Sequence, residues 1–213
     1  YFGAIRNYVK MQQEYECYFM VADLHSLTTH PDTKELKSNV HRVLAENIAC
    51  GLDPDKAALY CQSHVHETSE LYLYLNMLAY KGELEKTTTF KDKVRLHPQN
   101  VNAGLLTYPV LMATDILIHR ASFVPVGKDQ EQHLEMTRNF AQRFNHRYGD
   151  VFPEPVAFNF GESLLKVPSL DGTGKMSKSE NQLATLYLAD DDDSIRKKIM
   201  KAKTDSGPTE KDS

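Results

Sequence analysis

Cys17-Tyr18-Phe19-Met20-Val21-Ala22 is a short continuous apolar run, and Asp23-Leu24-His25 follows it at once. A run of this length is typical of a β-strand that is buried on both faces, as in a parallel sheet. Two similar runs follow, Ala58–Cys61 and Ser122–Val126. Segments with helical spacing separate them, and this alternation predicts parallel strands joined by helical crossovers. We therefore expect a helix-rich α/β fold with a Rossmann-like, doubly wound parallel sheet.

The segments between and after the strands carry apolar residues at helical spacing. A stripe from Leu36 to Ile48 forms one such face, and Gly51 supplies its C-terminal stop. The other predicted helices are Gly3–Tyr15, Glu67–Lys81, Leu105–His119, Gln130–Tyr148 and Ser194–Ala202. The polar stretch from Gly82 to Asn102 is expected to be a loop, and the chain after Gly149 is expected to be irregular.

Polar residues follow each predicted strand at the end where a ligand would bind. Ligands of open α/β sheets lie beyond the carboxyl ends of the strands. Those ends read Ala22-Asp23-Leu24-His25, Gln62-Ser63-His64 and Pro125-Val126-Gly127-Lys128-Asp129-Gln130. This convergence predicts a site for a small polar ligand without identifying the ligand.

The composition is that of an ordinary soluble globular protein, with 213 residues, 41% apolar and 25% charged. Apolar runs are spread along the whole chain, which excludes disorder as its overall description. No stretch reaches the roughly 18 consecutive apolar residues of a membrane span, and no membrane partner is expected. The net charge is −4, so a nucleic-acid partner would have to meet a local basic face.

The three cysteines, Cys17, Cys50 and Cys61, are odd in number and form no CxxC pair. They are expected to be reduced thiols in a cytoplasmic protein. Charged residues such as Arg6 and Lys10 argue against a secretory signal in the opening segment. The chain lacks an initiator methionine and ends in a polar tail, so we expect both ends to be cut from a longer protein.

The most specific string in the chain is Lys175-Met176-Ser177-Lys178-Ser179, preceded by Asp171-Gly172-Thr173-Gly174. Small residues favour a flexible loop, and its two lysines place positive charges on it. Such a loop could close over a polyphosphate and neutralise the charge that develops on a leaving group. A solvated basic loop is the alternative for a generic segment of this composition, but a given pentapeptide rarely occurs by chance.

This pentapeptide, KMSKS, is the signature loop of class I aminoacyl-tRNA synthetases. Over essentially all 213 residues the chain resembles the bacterial tryptophanyl-tRNA synthetase family within that class. The resemblance rests on the strings Thr107–Leu117, Val124–His133, Ala22–Thr28, Gly82–Glu85, Phe90–Lys93 and Lys203–Ser206. It implies ATP-dependent activation of tryptophan and its transfer to tRNA.

One family motif is not found in the chain. The family's HIGH-like segment follows a first strand and ends just before an element like Tyr1-Phe2-Gly3-Ala4. The resemblance therefore implies a catalytic domain over residues 1–189 that lacks its first strand, and the start of a C-terminal helical region over residues 190–213.

The tryptophan site is expected on one helix face. Tyr108, Met112 and Asp115 follow an i, i+4, i+7 spacing, and a buried carboxylate needs a hydrogen-bond donor. By residues alone that donor belongs to a salt bridge or a helix contact. By resemblance it is the indole N–H, with Met112 packed on the ring and Tyr108 and Gln130 holding the ammonium and carboxylate. Val126 and His25 are then expected to line the same pocket.

The resemblance assigns a second set of residues to ATP, which is expected to arrive with Mg²⁺ on its phosphates. Lys93, Lys175 and Lys178 are the expected catalytic contacts with the phosphates. The ATP-binding residues implied are Gly127, Lys128, Asp129, Val167, Lys175, Met176, Ser177, Lys178 and Ser179. From the residues alone, Asp129 is equally well a helix N-cap, Lys93 a solvated lysine, and Val167 and Met176 core residues.

No resident metal is expected. His64-Val65-His66 lacks a further ligand nearby, and the acidic run Asp190–Asp193 is typical of a helix N-terminus. The resemblance also implies tRNA and a second copy of the chain as partners, in a homodimer. Alternatives left open are a tyrosyl-tRNA synthetase, a non-catalytic nucleotide- or RNA-binding relative, and another adenylyl-transferring enzyme of the same fold.

Overall fold

The computed structural model describes residues 4–96, 98–127, 130–158, 167–174, 176 and 181–204. Its four strands are β1 (Cys17–Val21), β2 (Ala57–Cys61), β3 (Phe123–Pro125) and β4 (Val156–Phe158). Its helices are α1 (Ile5–Met11), α2 (Asp23–Ser26), α3 (Leu36–Ala49), α4 (Glu67–Asn76), α5 (Lys81–Leu84), α6 (Thr88–Leu96), α7 (Ala103–Leu106), α8 (Tyr108–Leu117), α9 (Glu131–Tyr148) and α10 (Asp192–Met200).

The strands form two parallel pairs, and their parallel direction is the one that the sequence predicts. β1 pairs with β2 in a register that runs from Cys17 opposite Ala57 to Val21 opposite Cys61. β3 pairs with β4 in a second parallel ladder. The connection of the first pair contains α3 and that of the second contains α9. Both are therefore β–α–β crossovers, and the helix-rich α/β prediction is confirmed.

Two predictions about irregular segments are wrong. The stretch from Gly82 to Asn102 was expected to be a loop, but it contains the end of α5, all of α6 and the start of a turn into α7. In α6 the half-buried residues Phe90, Lys93 and Val94 lie on one face. A helix this short has only a few apolar positions, and these are too few to show a helical spacing in the sequence. The chain after Gly149 contains β4, whose three residues are too few for a recognisable alternation.

The main apolar core joins three helices. Residues of α4, α8 and α9, together with neighbouring positions, form one buried cluster: Leu75, Leu78, Leu84, Val110, Ala113, Leu117, Phe140 and Ala141. Pro109 lies in the first turn of α8, where a proline is tolerated because that N–H has no helical partner. The core thus fixes α8, the helix on which the tryptophan site was expected.

A cavity of about 570 Å³ lies between the two strand pairs. Residues of β1, of β3 and of the end of β4 line it, with α1 and the C-terminal end of α8 closing its sides. In the described part of the chain, each of β1 and β3 pairs along one edge with a single partner strand. No helix among the described residues is long and apolar enough to span a membrane.

Candidate functional site

The ends of β1 and β2 are tied together by an aspartate. Asp23 begins α2 directly after β1, and its Oδ1 accepts a hydrogen bond of 3.0 Å from the backbone N–H of Ser63. The hydroxyl of Ser63 donates to Oδ2 of the same carboxylate. Because the strands are parallel, both of their polar ends lie at the same edge, and Asp23 holds them side by side.

Asp115 of α8 meets these strand ends. Its Oδ2 lies 2.8 Å from Nε2 of His25. The side-chain amide of Gln62 donates to Oδ1 over 2.8 Å and to Oδ2 over 3.0 Å. The side chains of His25 and Asp115 are only 9% and 10% exposed, and Gln62 is fully buried. This cluster of three residues, the Asp115 cluster, joins both strand ends to α8.

The Asp115 carboxylate can accept a further donor. A carboxylate offers about four lone-pair positions, and the described donors to Asp115 make three contacts with it. Among the described residues, Nδ1 of His25 is buried without a hydrogen-bond partner. The cluster is therefore a buried, polar patch with unfilled hydrogen-bonding capacity, of the kind that orients a small ligand.

Tyr108 forms an aromatic face beside the cluster. Its ring centroid lies 4.3 Å from that of His25, and Nζ of Lys93 stands 4.4 Å from the same Tyr108 centroid. Burial and then the charge of Asp115 raise the pKa of the Tyr108 hydroxyl. Burial also lowers the pKa of Lys93. The structure therefore brings His25, Lys93, Tyr108 and Asp115 together, although the resemblance implied that Lys93 contacts the phosphates of ATP and not tryptophan.

A second pair of titratable groups, Tyr60 and His119, lines the cavity together with Asp115. The hydroxyl of Tyr60 lies 2.6 Å from Nε2 of His119. Burial, together with the nearby charges of Asp115 and Tyr18, raises the pKa of Tyr60 to about 12. Burial lowers the pKa of His119, and the charge of Asp115 opposes that shift. The field of Asp115 thus reaches both the aromatic face and the cavity between the strand pairs.

The remaining residues expected around tryptophan lie on two elements. Met112 is half-buried on α8, between Tyr108 and Asp115 in sequence. Val126 and Gly127 follow β3, and the backbone N–H of Gln130 donates to the carbonyl of Gly127 over 2.9 Å. This turn leads into α9. Lys128 and Asp129, which were expected to bind ATP, lie outside the described residues.

Val167 and Met176, expected on either side of the adenine, lie next to each other. The backbone N–H of Met176 donates to the carbonyl of Val167 over 2.8 Å, and that of Ser169 donates to Gly174 over the same distance. A tight turn closes this hairpin at Gly172, whose φ of 72° suits glycine. The loop residues Lys175, Ser177, Lys178 and Ser179 lie outside the described residues, so their expected roles remain predictions.

Two residues of the site were not singled out from the sequence as functional. Gln62 and Asp23 were noted only as polar residues at strand ends. The signal that could have identified them is that parallel strands bring their carboxyl ends to one edge. Among the described residues, no group of three or more His, Cys, Asp or Glu is placed to hold a metal ion.

Comparison with known proteins places the chain and its fold in one family. The model of the tRNA synthetases class I (W and Y) family matches residues 1–212. The tryptophan–tRNA ligase of Porphyromonas gingivalis is 63% identical over 209 residues, which are 98% of this chain and 63% of the relative. That of Caldanaerobacter subterraneus subsp. tengcongensis is 47% identical over 97% of this chain and 63% of its own length.

A solved structure agrees with these sequence matches. The tryptophanyl-tRNA synthetase of Campylobacter jejuni, complexed with ADP and tryptophan, superposes with a TM-score of 0.89 at 37% identity. The match covers 98% of this chain and 64% of that one, so the chain spans a little under two thirds of the length of these relatives. The chain belongs to the family of class I tRNA synthetases for tryptophan and tyrosine.

Proposed function

We propose that the complete protein activates L-tryptophan with ATP and transfers the tryptophanyl group to tRNA. The observation that carries this proposal is the Asp115 cluster: a buried carboxylate with spare acceptor capacity, beside the aromatic face of Tyr108. The two curated relatives are tryptophan–tRNA ligases, and the Campylobacter jejuni structure contains ADP and tryptophan. These three comparisons support tryptophan over tyrosine as the amino acid.

In this proposal Asp115 accepts the indole N–H, which distinguishes the indole from other flat side chains. Met112 packs on the ring, and Val126 and His25 line the pocket. Tyr108 and Gln130 hold the substrate's ammonium and carboxylate groups. A site built around a substrate N–H rejects analogues without it, because the buried acceptor is then left unpaired.

ATP is proposed to bind along the turn after β3 and the hairpin of Val167 and Met176. Gly127 allows a close backbone approach, with Lys128 and Asp129 near the ribose. Val167 and Met176 flank the adenine, and their backbone hydrogen bond supports that placement. Lys93, Lys175 and Lys178, with Ser177 and Ser179 beside them, are assigned to the phosphates.

The proposed chemistry needs no side-chain nucleophile. An oxygen of the tryptophan carboxylate attacks the α-phosphorus of ATP, the bond to the bridging oxygen breaks, and pyrophosphate leaves with that electron pair. Catalysis then consists of positioning and of stabilising the charge on the leaving group, which is the work of the lysines. In a second step, a hydroxyl of the terminal adenosine of tRNA takes the tryptophanyl group and AMP leaves.

Magnesium is proposed to reach the site on the triphosphate. Mg²⁺ is commonly held by substrate phosphates and water with few protein ligands, and the described residues contain no ready-made cluster for a metal. It would supply positive charge to the phosphate oxygens. A homodimer and a cytoplasmic location, both implied by the family resemblance, also belong to this proposal.

We propose the domain division predicted from the sequence, with residues 1–189 in the catalytic domain. The helix α10 (Asp192–Met200) would then begin the C-terminal helical region. The cavity of about 570 Å³ between β1 and β3 supports one further strand in the complete protein, because both strands turn an edge towards it. The order β4–β3–new strand–β1–β2 would make a single sheet.

ATP–pyrophosphate exchange by the complete protein tests the proposed function. Exchange should depend on tryptophan, while tyrosine at the same concentration should support almost none. Exchange driven by tyrosine, or by neither amino acid, would refute the proposal. Charging of a tRNA transcript with labelled tryptophan then tests the second step.

A further inference from the structure

Gln62 makes three hydrogen bonds at the centre of the Asp115 cluster. It begins the short 3-10 helix Gln62–His64 that follows β2, and its side chain is fully buried. Its Nε2 donates to both oxygens of Asp115. Its Oε1 accepts the backbone N–H of His25 over 3.3 Å. This one amide therefore connects the end of β1, the end of β2 and α8.

The bond from His25 fixes which way the Gln62 amide points. A backbone N–H can only donate, so the group facing it must be the carbonyl oxygen, Oε1. The NH₂ group then faces Asp115 and contacts both carboxylate oxygens. Because both of its oxygens are hydrogen-bonded to Gln62, the Asp115 carboxylate cannot rotate freely about its Cβ–Cγ bond. Gln62 therefore sets the plane of the carboxylate and leaves its remaining lone pair pointing in one direction.

We propose that Gln62 is a positioning residue for substrate selection, which acts through Asp115 without touching the substrate. It aims the carboxylate so that one lone pair meets the indole N–H. This inference rests on the proposed function, since it assumes that Asp115 accepts from tryptophan. It assigns to Gln62 a share of the discrimination between tryptophan and analogues that lack the N–H.

The test compares two buried glutamines with different hydrogen-bond partners, of which only Gln62 contacts Asp115. Gln62→Met keeps the length of the side chain but removes the amide. Gln12→Met is the matched control, because Gln12 is also buried and its amide also joins segments that are distant in sequence. It donates to the carbonyl of Gly51 and accepts from the backbone N–H of Asp53. Both variants lose buried hydrogen bonds, and only the first should alter Asp115. Circular dichroism and urea unfolding measure the stability that each variant loses.

The readout is pyrophosphate exchange by the complete protein with tryptophan and with 3-benzothienyl-L-alanine, in which sulfur replaces the indole N–H. For Gln62→Met we expect the KM for tryptophan to rise about tenfold or more, with the KM for ATP near that of the wild type. The analogue should be affected much less, so the discrimination ratio falls. In Gln12→Met that ratio should stay at the wild-type value.

A second variant, Gln62→Glu, keeps the inference testable if Gln62→Met folds poorly. Two carboxyls in contact cannot both ionise freely, and a protonated new carboxyl can donate to Asp115 as the amide does. We therefore expect its tryptophan KM to fall towards that of the wild type as the pH is lowered from about 8 to about 6. The other titratable groups near Asp115 are His25, Tyr60, Tyr108 and His119. Their contribution is measured by the pH dependence of the tryptophan KM in the wild type.

The outcomes separate the two proposals. Wild-type exchange with tryptophan, together with an unchanged discrimination ratio in Gln62→Met and a wild-type pH profile in Gln62→Glu, would overturn the role of Gln62 alone. Absence of tryptophan-dependent exchange in the wild type would overturn the proposed function and this inference with it. A reduced ratio confined to the Gln62 variants supports both.

Discussion

Asp115 carries a charge in a place where charge is costly. Removing a carboxylate from water without partners is strongly unfavourable, and here His25 and Gln62 offset that cost. The two partners lie 90 and 53 residues away in the sequence. The sequence therefore indicated that Asp115 needs a donor, while only the fold could show which side chains supply one in the ligand-free protein.

Replacing the carboxylate with an amide tests its role as an acceptor. In Asp115→Asn the NH₂ group faces donors, so the cluster loses an acceptor and gains a clash of like groups. We expect the KM for tryptophan to rise by about tenfold or more and the KM for ATP to change much less. Exchange kinetics measure both constants.

The control for that substitution is Asp150→Asn, because Asp150 is exposed after the end of α9. It should leave both constants at their wild-type values. An Asp115→Asn variant in which tryptophan and ATP binding weaken equally would show that the residue supports the fold and does not select the amino acid.

Tyr60 should make the protein less stable at alkaline pH. Its pKa is raised from 10.0 to about 12, so the folded state holds the phenolic proton more tightly than the unfolded chain. The resulting stabilisation is complete below pH 10.0 and is lost as the pH rises towards 12. Tyr60→Phe removes this group together with its hydrogen bond to His119.

Urea unfolding measured from neutral pH to pH 12 checks this expectation for Tyr60. The variant should be less stable than the wild type at neutral pH, and its stability should fall less steeply above pH 10.0. Tyr8 and Tyr108, whose pKa values burial also raises, contribute to the slope that remains in both proteins. Equal slopes for the two proteins would contradict the shift.

At the scale of elements, α8 is shared between the core and the candidate site. Val110, Ala113 and Leu117 are fully buried against α4 and α9, while Tyr108 and Asp115 face the strand ends. Packing on one side thus fixes the side chains on the other. We therefore expect a substitution on the core side of α8 to disturb the site residues on its other side.

Shortening a core residue of α8 measures how firmly the helix is held. Leu117→Ala leaves a cavity under a fully buried side chain and should cost about 2–5 kcal/mol of stability. Leu73→Ala on α4 is the control, because Leu73 is 55% exposed and should change stability by less than about 0.5 kcal/mol. Urea unfolding compares the two, and similar losses would mean that the helical core is misplaced.

The elements that the sequence predicted well are those with a strong local pattern. Three apolar runs became β1, β2 and β3, and the amphipathic stripes became α3 and α9. The helix α6 and the strand β4 were missed, because each is short and its pattern depends on neighbours that are distant in sequence. The polar strand ends were recognised, but the bonds of Asp23 and Gln62 across them depend on tertiary structure.

At the scale of the whole molecule, the two strand pairs surround a cavity that the described chain does not fill. Tyr15, Phe123 and Phe158 meet along it in edge-to-face contacts, and Phe123 is still 53% exposed. Large aromatic side chains half open to a cavity are typical of a face that another element covers.

A further strand in that cavity would protect the backbone of both its neighbours. In the complete protein, we expect amide hydrogens along β1 and β3 to exchange slowly on both edges, as in central strands of a sheet. Hydrogen exchange measured by NMR or by mass spectrometry resolves these segments. Rapid exchange at alternate amides of β1 would mean that this edge is open, and the proposed single sheet would be wrong.

The central claim is that Asp115 holds the nitrogen of tryptophan, and a crystal structure of the complete protein with bound tryptophan tests it most directly. We predict that the indole nitrogen lies about 2.7–3.1 Å from a carboxylate oxygen of Asp115, while Gln62 keeps its bonds to that carboxylate. A ligand bound elsewhere, or an indole nitrogen that faces another group, would contradict the account.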